Sequence, residues 1–318
     1  MTTDLRRLLG PGGVRPSADV VRDAHPSSVS RWVATGRLLR PLPGVLALPD
    51  AVGTWTGRAR AAEQWSGGHL SGRSALALWD VVASPGALVH VAVGRRRNVA
   101  PVPEWLRPHR VEVTEWGERD GLRVTMPARS VVEAWGHAHV RGAGPRDVEL
   151  ARAAVIGAVR RRMVTMRQLR SELLRRPRLP GRADLCVLLD LVEGGCQSEF
   201  EIWGLQHLLD IPGLPPVEQQ IAVETRIGTV HLDGGWRRVL VGGRWREVRL
   251  GVELDGAAFH GAPDRREADI RRDAAAAAEG WLIMRIGHRR GHAEPDVCRA
   301  DVAAAFHARL DHGGWRAA

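Results

Sequence analysis

In Val252-Glu253-Leu254-Asp255-Gly256, acidic and aliphatic residues alternate with the two-residue period of a β-strand, so Glu253 and Asp255 share one face while Val252 and Leu254 turn to a core. A second alternating stretch, Val230-His231-Leu232-Asp233, puts Val230 and Leu232 on the core side and His231 and Asp233 on the other. Paired in one sheet, the two strands bring Asp233 beside Glu253. Carboxylates gathered on a sheet face repel one another unless a cation neutralises them, and an all-oxygen ligand set suits Mg²⁺ or Mn²⁺. Such an ion polarises a phosphate diester and lowers the pKa of the attacking water, which is metal-assisted phosphodiester hydrolysis. His260, shortly after the strand, stands where a ligand or proton donor is needed, and Arg271 and Arg272 on the next helical stretch are placed to hold phosphate oxygens. Singly, these residues have plainer readings: Asp255-Gly256 as a turn, and Arg272 with Asp269 or Asp273 as a surface ion pair. It is their conjunction, in order, that points to a nuclease-type centre.

The flanking sequence supplies the elements to hold such a centre. Ser198 is placed to cap a helix running to about Leu209, and Pro212, Gly213, Pro215 and Pro216 break the chain. Strands follow at Gln220 to Glu224 and Thr229 to Asp233, then an Arg- and Trp-rich hairpin around Gly242-Gly243 leads into Val248 to Asp255. A long helix from about Asp264 to Glu279, an apolar strand over Trp281 to Ile286 and a last helix near Asp296 to Leu310 complete an α-β-β-β-α-β-α order.

These residues resemble the very-short-patch-repair-like branch of the restriction-endonuclease-like, PD-(D/E)xK superfamily, in a widespread bacterial family of unknown function. The resemblance runs over roughly Gly195 to His288. It is carried by Ser198-Glu199-Phe200-Glu201, Gln220, His231-Leu232-Asp233, Val252-Glu253-Leu254-Asp255-Gly256 with His260, then Asp269, Arg272, Asp273, Gly280-Trp281 and Arg285. Similar proteins place a helix glutamate, a strand aspartate and a following Glu-x-Asp at the metal centre. The resemblance therefore implies Glu201, Asp233, Glu253 and Asp255 as ligands of Mg²⁺ or Mn²⁺. Two departures stand out. Asp255 occupies the position of the superfamily's usual lysine, which leaves His260 or Arg272 to supply its charge. The segment from Gly234 to Gly251 is also longer than the family's strand connection, so an extra hairpin is expected to rearrange or cover the site.

Toward the N-terminus, Ala18 to Ala24 and Val29 to Thr35 read as two short helices around the turn His25-Pro26-Ser27-Ser28, ending at Gly36. Leu38 to Leu48, broken at Pro43-Gly44, reads as a β-wing. A winged helix-turn-helix would present Ser28, Ser30 and Arg31 to the major groove, with Arg37 and Arg40 flanking the wing toward phosphates. Beyond it lie a helix near Gly72 to Val82, strands at Leu88 to Val93 and Arg110 to Glu115, a solvated basic run at Arg95-Arg96-Arg97, and a helix begun by Pro127-Ala128-Arg129-Ser130. Arg31 to Leu48 and Met126 to Val132 resemble antitoxin-type regulators of the AbiEi kind, which implies a repressor of toxin–antitoxin operons and a partner toxin as the competing reading.

The expected fold class is thus an α/β multidomain chain. It comprises a winged helix-turn-helix over 1–52, a small α+β domain with helices over 58–176 and a restriction-endonuclease-like domain over 182–318. The 318 residues, 44% of them hydrophobic, suffice for several cores. With 46 basic against 36 acidic residues the net charge is +10, a balance that attracts polyanions and makes DNA the expected partner. Every basic residue of that count is arginine, so no lysine is available for catalysis while bidentate phosphate contacts are plentiful. Cys186, Cys196 and Cys298 make neither a paired metal motif nor a complete disulfide set, and no leader or membrane span is read, so a cytoplasmic protein is expected. The assembly state stays open, with a homodimer among the alternatives. An adaptor without catalysis, its charge merely compositional, is the third reading.

Overall fold

The computed structural model describes residues 4–96, 102–112, 115–256 and 263–311. It is mixed α/β, with helices and three sheets, and divides into two compact units, Met1–Leu185 and Cys186–Ala318. No helix among the described residues is long and apolar enough to cross a membrane.

The first unit opens with helix Leu5–Leu9, whose first amides are capped by the Asp4 carboxylate. Strand β1 (Val14–Pro16), helices Ser17–Asp23 and Pro26–Ala34, and strands β2 (Leu39–Leu42) and β3 (Val45–Ala47) follow. The three strands form a sheet in the order β1-β3-β2. Helix Pro26–Ala34 starts three residues ahead of the expected Val29, because the His25 ring accepts the Ser27 amide at 3.3 Å and Pro26 fits the first helical turn. Val29 and Trp32 pack under it with Val20, Leu38 and Leu46.

Helix Trp55–Ser66 then leads into a five-stranded sheet of order β6-β5-β4-β8-β7. Its strands are β4 (His69–Leu70), β5 (Val89–Gly94), β6 (Leu106–Val111), β7 (Trp116–Arg119) and β8 (Leu122–Thr125). Helices Gly72–Leu78, Pro127–Ala138, Pro145–Arg160 and Met166–Leu174 complete the unit. The segments 1–52 and 58–176 fall within one compact unit. Val14, Leu42, Val45 and Ala47 of the first sheet share one apolar core with Ala59, Trp65, Leu70 and Val89, so helix Trp55–Ser66 joins the two sheets rather than linking two domains. The Arg129 expected near a helix start is a buried strut: its guanidinium donates to Glu133 at 2.9 Å and to the Glu112 carbonyl at 2.8 Å, while Arg176 reaches the same Glu133 carboxylate at 2.8 Å. Arg95 and Arg96 are exposed, and Arg97 lies outside the described residues.

The expected start at 182 is the first residue of helix Arg182–Glu193, and the division between the two units falls within that helix, after Leu185. The second unit continues with helix Glu199–His207, strands β9 (Glu218–Thr225), β10 (Gly228–Val241) and β11 (Arg244–Asp255), helix Pro263–Ala278, strand β12 (Leu282–Gly287), and helices His288–Ala293 and Pro295–Asp311. The sheet order is β12-β11-β10-β9, with β12 parallel to β11 and the other pairs antiparallel. The segment 234–251 does not form a separate covering hairpin. It prolongs β10 and β11 themselves, with the turn at Gly242-Gly243, eight residues of strand beyond Asp233 and so roughly 25 Å away along it.

Candidate functional site

Two glycines let β10 and β11 come together beside the acidic residues. Gly235 has φ +150°, and a Cβ there would stand 2.1 Å from the Leu250 carbonyl oxygen. Gly251 opposite would carry its Cβ 2.5 Å from Leu232. Past this crossing the ladder ends at Gly234–Val252, and the next bond is of another kind: the Leu254 amide donates to the Asp233 carboxylate at 2.8 Å. The strands part there, and Asp233 sits in the fork.

On β11, Gly251, Glu253 and Asp255 alternate onto the face covered by helix Pro263–Ala278. Leu254 turns the other way and meets Gly204, where a Cβ would clash with Leu254 at 2.6 Å; this close approach seats helix Glu199–His207 against the strand. β12 runs alongside in register, with Arg285 opposite Glu253. Its guanidinium spans two carboxylates, donating through Nη1 to Asp255 at 3.0 Å and through Nε and Nη2 to Asp273 at 2.8 Å each. Arg272, on the same helix as Asp273, donates to the His231 carbonyl at 3.2 Å and sits at the edge of hydrogen-bonding distance, 3.5 Å, from Asp269.

Glu253 is 8% exposed, and among the described residues no hydrogen bond or ion pair reaches its carboxylate. Burial pushes its pKa up to about 8; the charges of Asp233 and Asp255 push the same way, while Arg285 and Arg272 oppose them. Asp233 is pushed up to about 6, again first by burial, with the Leu254 amide and Arg272 pulling down and the charges of Glu201 and Asp255 adding to the rise. Arg285 is held protonated above its ordinary value, chiefly by its bonds to Asp273. Glu253, buried, and Asp233, half-buried, are therefore an acidic couple whose ionised forms burial disfavours.

The expected site residues divide by partner. Glu201 is tied to the head of its helix: Oε2 accepts the Gln197 amide at 2.7 Å and Oε1 accepts the Ser198 hydroxyl at 2.8 Å, while the Ser198 hydroxyl caps the Glu201 amide at 3.1 Å. Asp255 is held by Arg285. His260 lies outside the described residues. No three of the carboxylates expected as ligands converge within coordinating distance of one another among the described residues. Glu253 is left open, as is the second oxygen of Asp233, whose Oδ2 takes the Leu254 amide, and that set fits Mg²⁺, which binds through one or two carboxylates and keeps several waters. Of the residues expected to read DNA, Ser30, Arg31, Arg37 and Arg40 are exposed and Ser28 is half-buried.

Arg285 was legible as part of the resemblance but not as the clamp at the centre, a role that needs the parallel β11–β12 register. A second group was missed: His90, His109 and His137 come together in the first unit. The alternation of Val89-His90-Val91 was the available signal, since a histidine between buried valines on a central strand needs a partner.

A scan against protein-family models finds no match, and no curated protein matches the chain.

Proposed function

We propose that this chain is a DNA-binding protein whose C-terminal unit, a restriction-endonuclease-like fold, hydrolyses phosphodiester bonds with Mg²⁺ or Mn²⁺. The observation that carries the reading is Glu253: a carboxylate buried, unpartnered among the described residues and set beside Asp233 at the fork of two strands. A carboxylate in that state is destabilising unless it is protonated or binds a cation. Asp233 and Glu253 would hold the ion, which would supply a polarised phosphate and a water of lowered pKa. Arg285 keeps Asp255 and Asp273 turned together, and Arg272 contributes fixed positive charge next to the pair, where a phosphate oxygen would be drawn. In the N-terminal segment, helix Pro26–Ala34 and the β2–β3 hairpin are taken as the recognition helix and wing of a winged helix-turn-helix.

One observation favours a second reading. With Glu201 spent on the Gln197 amide and Ser198 hydroxyl and Asp255 in an ion pair, half of the expected ligand set is already occupied, as expected of a repressor or antitoxin of the AbiEi kind whose nuclease-like unit is silent. The deciding experiment is plasmid nicking by the purified chain with Mg²⁺ or Mn²⁺, beside Asp233→Ala and Glu253→Gln. Cleavage that disappears with chelator and in both variants supports the nuclease. DNA binding without cleavage in the unaltered chain supports the regulator, and cleavage surviving in both variants would overturn the site.

A further inference from the structure

Strands β5 and β6 are parallel neighbours, with His90 opposite Arg107 and Ala92 opposite His109. His90 and His109 therefore stand on the same face of the sheet, one pleat apart. Helix Pro127–Ala138 lies over that face and brings His137 to a ring-centroid distance of 3.6 Å from His109 and 5.4 Å from His90. Each of the three offers a ring nitrogen, and these nitrogens lie within 4.8 Å of one another. The one hydrogen bond among the rings joins His90 Nδ1 and His109 Nε2 at 2.9 Å, and the Nδ1 of His137 is buried with no partner. Buried polar nitrogens are ordinarily satisfied, so the Nδ1 of His137, like the ring nitrogens of His69, calls for a partner, and of the two only His137 has two further imidazoles beside it to share one.

The surroundings select the ligating form of histidine. Among the described residues no carboxylate forms an ion pair with any of the three rings, and the adjoining cavity of about 560 Å³ is lined by three arginines, Arg73, Arg107 and Arg141, against one acid, Asp147, as well as by the histidines. Burial, then the neighbouring rings and arginines, lowers His90, His109 and His137 to about 3, with Glu133 opposing at His109, so the surroundings disfavour the imidazolium form that cannot ligate.

We propose that His90, His109 and His137 form a transition-metal site, suited above all to Zn²⁺, whose open position faces the arginine-lined cavity and takes an anionic group. Three imidazoles and one free position is the ligand pattern of an open rather than a structural zinc site. Tetrahedral ligands at the usual Zn–N length stand about 3.3 Å apart, so the His90–His109 contact opens by about 0.4 Å and the rings turn about their softest torsion to converge. The site lies wholly within Met1–Leu185 and does not depend on the phosphodiesterase reading of the other unit.

The test uses the full, untagged chain carrying Glu253→Gln, so that the carboxylate pair does not compete, stripped with chelator and titrated with Co²⁺ and then Zn²⁺. One Co²⁺ per chain with intense visible absorption of a low-coordinate nitrogen site, displaced by Zn²⁺, is the expected result. Co²⁺ affinity falls at least about 100-fold in His137→Asn and in His90→Asn, each checked for native circular dichroism. A chain that binds no Co²⁺ tightly overturns the proposal without recourse to any variant, and so does equal binding by folded His137→Asn and His90→Asn. Added inorganic phosphate shifts the Co²⁺ bands if the open position faces the cavity; unchanged bands would overturn that half of the assignment.

Discussion

Glu253 concentrates the chemistry of the C-terminal unit in one side chain. Its folded-state pKa stands above the ordinary glutamate value of 4.5, at about 8, so the folded chain holds its proton more tightly than the unfolded chain does. That contribution is complete below about pH 4.5 and is lost as pH rises toward 8; Asp233 acts in the same sense between 3.8 and about 6. In chelator the chain is therefore expected to lose stability from pH 5 to pH 8, by up to a few kcal/mol in urea denaturation. Glu253→Gln should flatten that slope, and Mg²⁺ should stabilise the unaltered chain more at pH 8 than at pH 6. A slope equal in the two proteins would show that Glu253 is not the titrating group. Little of this was legible in the sequence. Alternation assigned Glu253 a face, but its burial depends on helix Pro263–Ala278 closing over that face, which no local pattern encodes.

At the scale of elements, the fork that holds Asp233 depends on the close crossing of β10 and β11. Gly235→Ala sets a Cβ against the Leu250 carbonyl in a backbone conformation that alanine avoids, and backbone cannot yield as a side-chain tip can. We expect a loss of about 3 kcal/mol or more, read by urea denaturation. Gly251→Ala meets only the end of the Leu232 side chain and should cost less. The strands of this unit were readable because each alternates a buried with an open face. Ser198-Glu199-Phe200-Glu201 was readable as a helix start, and the geometry adds that Glu201 completes the cap. Strands β7 and β8 carried a hairpin signal that the reading passed over, Asp120-Gly121 with φ +52° and +68° between paired strands. The three histidines lie on elements 19 and 28 residues apart, and only the register of β5 against β6 reveals them.

For the whole molecule, the net charge of +10 predicts affinity for any nucleic acid, so specificity must be separated from it. If Arg37 and Arg40 meet phosphates, Arg37→Ala and Arg40→Ala in the full chain should each weaken binding to all sequences alike and reduce the log–log salt slope by about 1. Arg31→Ala should instead change which sequences are preferred. Fluorescence anisotropy over a salt series distinguishes the two, and an unaltered slope in both wing variants would remove them from the interface. The segments 1–52 and 58–176, read from the sequence as separate domains, lie in one compact unit. Apolar residues from both N-terminal sheets meet in one core around helix Trp55–Ser66, beside a smaller core of Leu5, Val20, Trp32 and Leu46.

The parallel pairing of β12 with β11 has a consequence in time. β9, β10 and β11 are successive antiparallel strands joined by short turns, contacts that close quickly. β12 can join only after the chain has passed through helix Pro263–Ala278 and come back, so the lid over Glu253 and the arrival of Arg285 belong to a late folding event. The penalty of burying that acid should then be absent from the folding barrier. Stopped-flow chevrons in chelator at pH 8 are expected to show Glu253→Gln slowing unfolding while leaving the folding rate nearly unchanged.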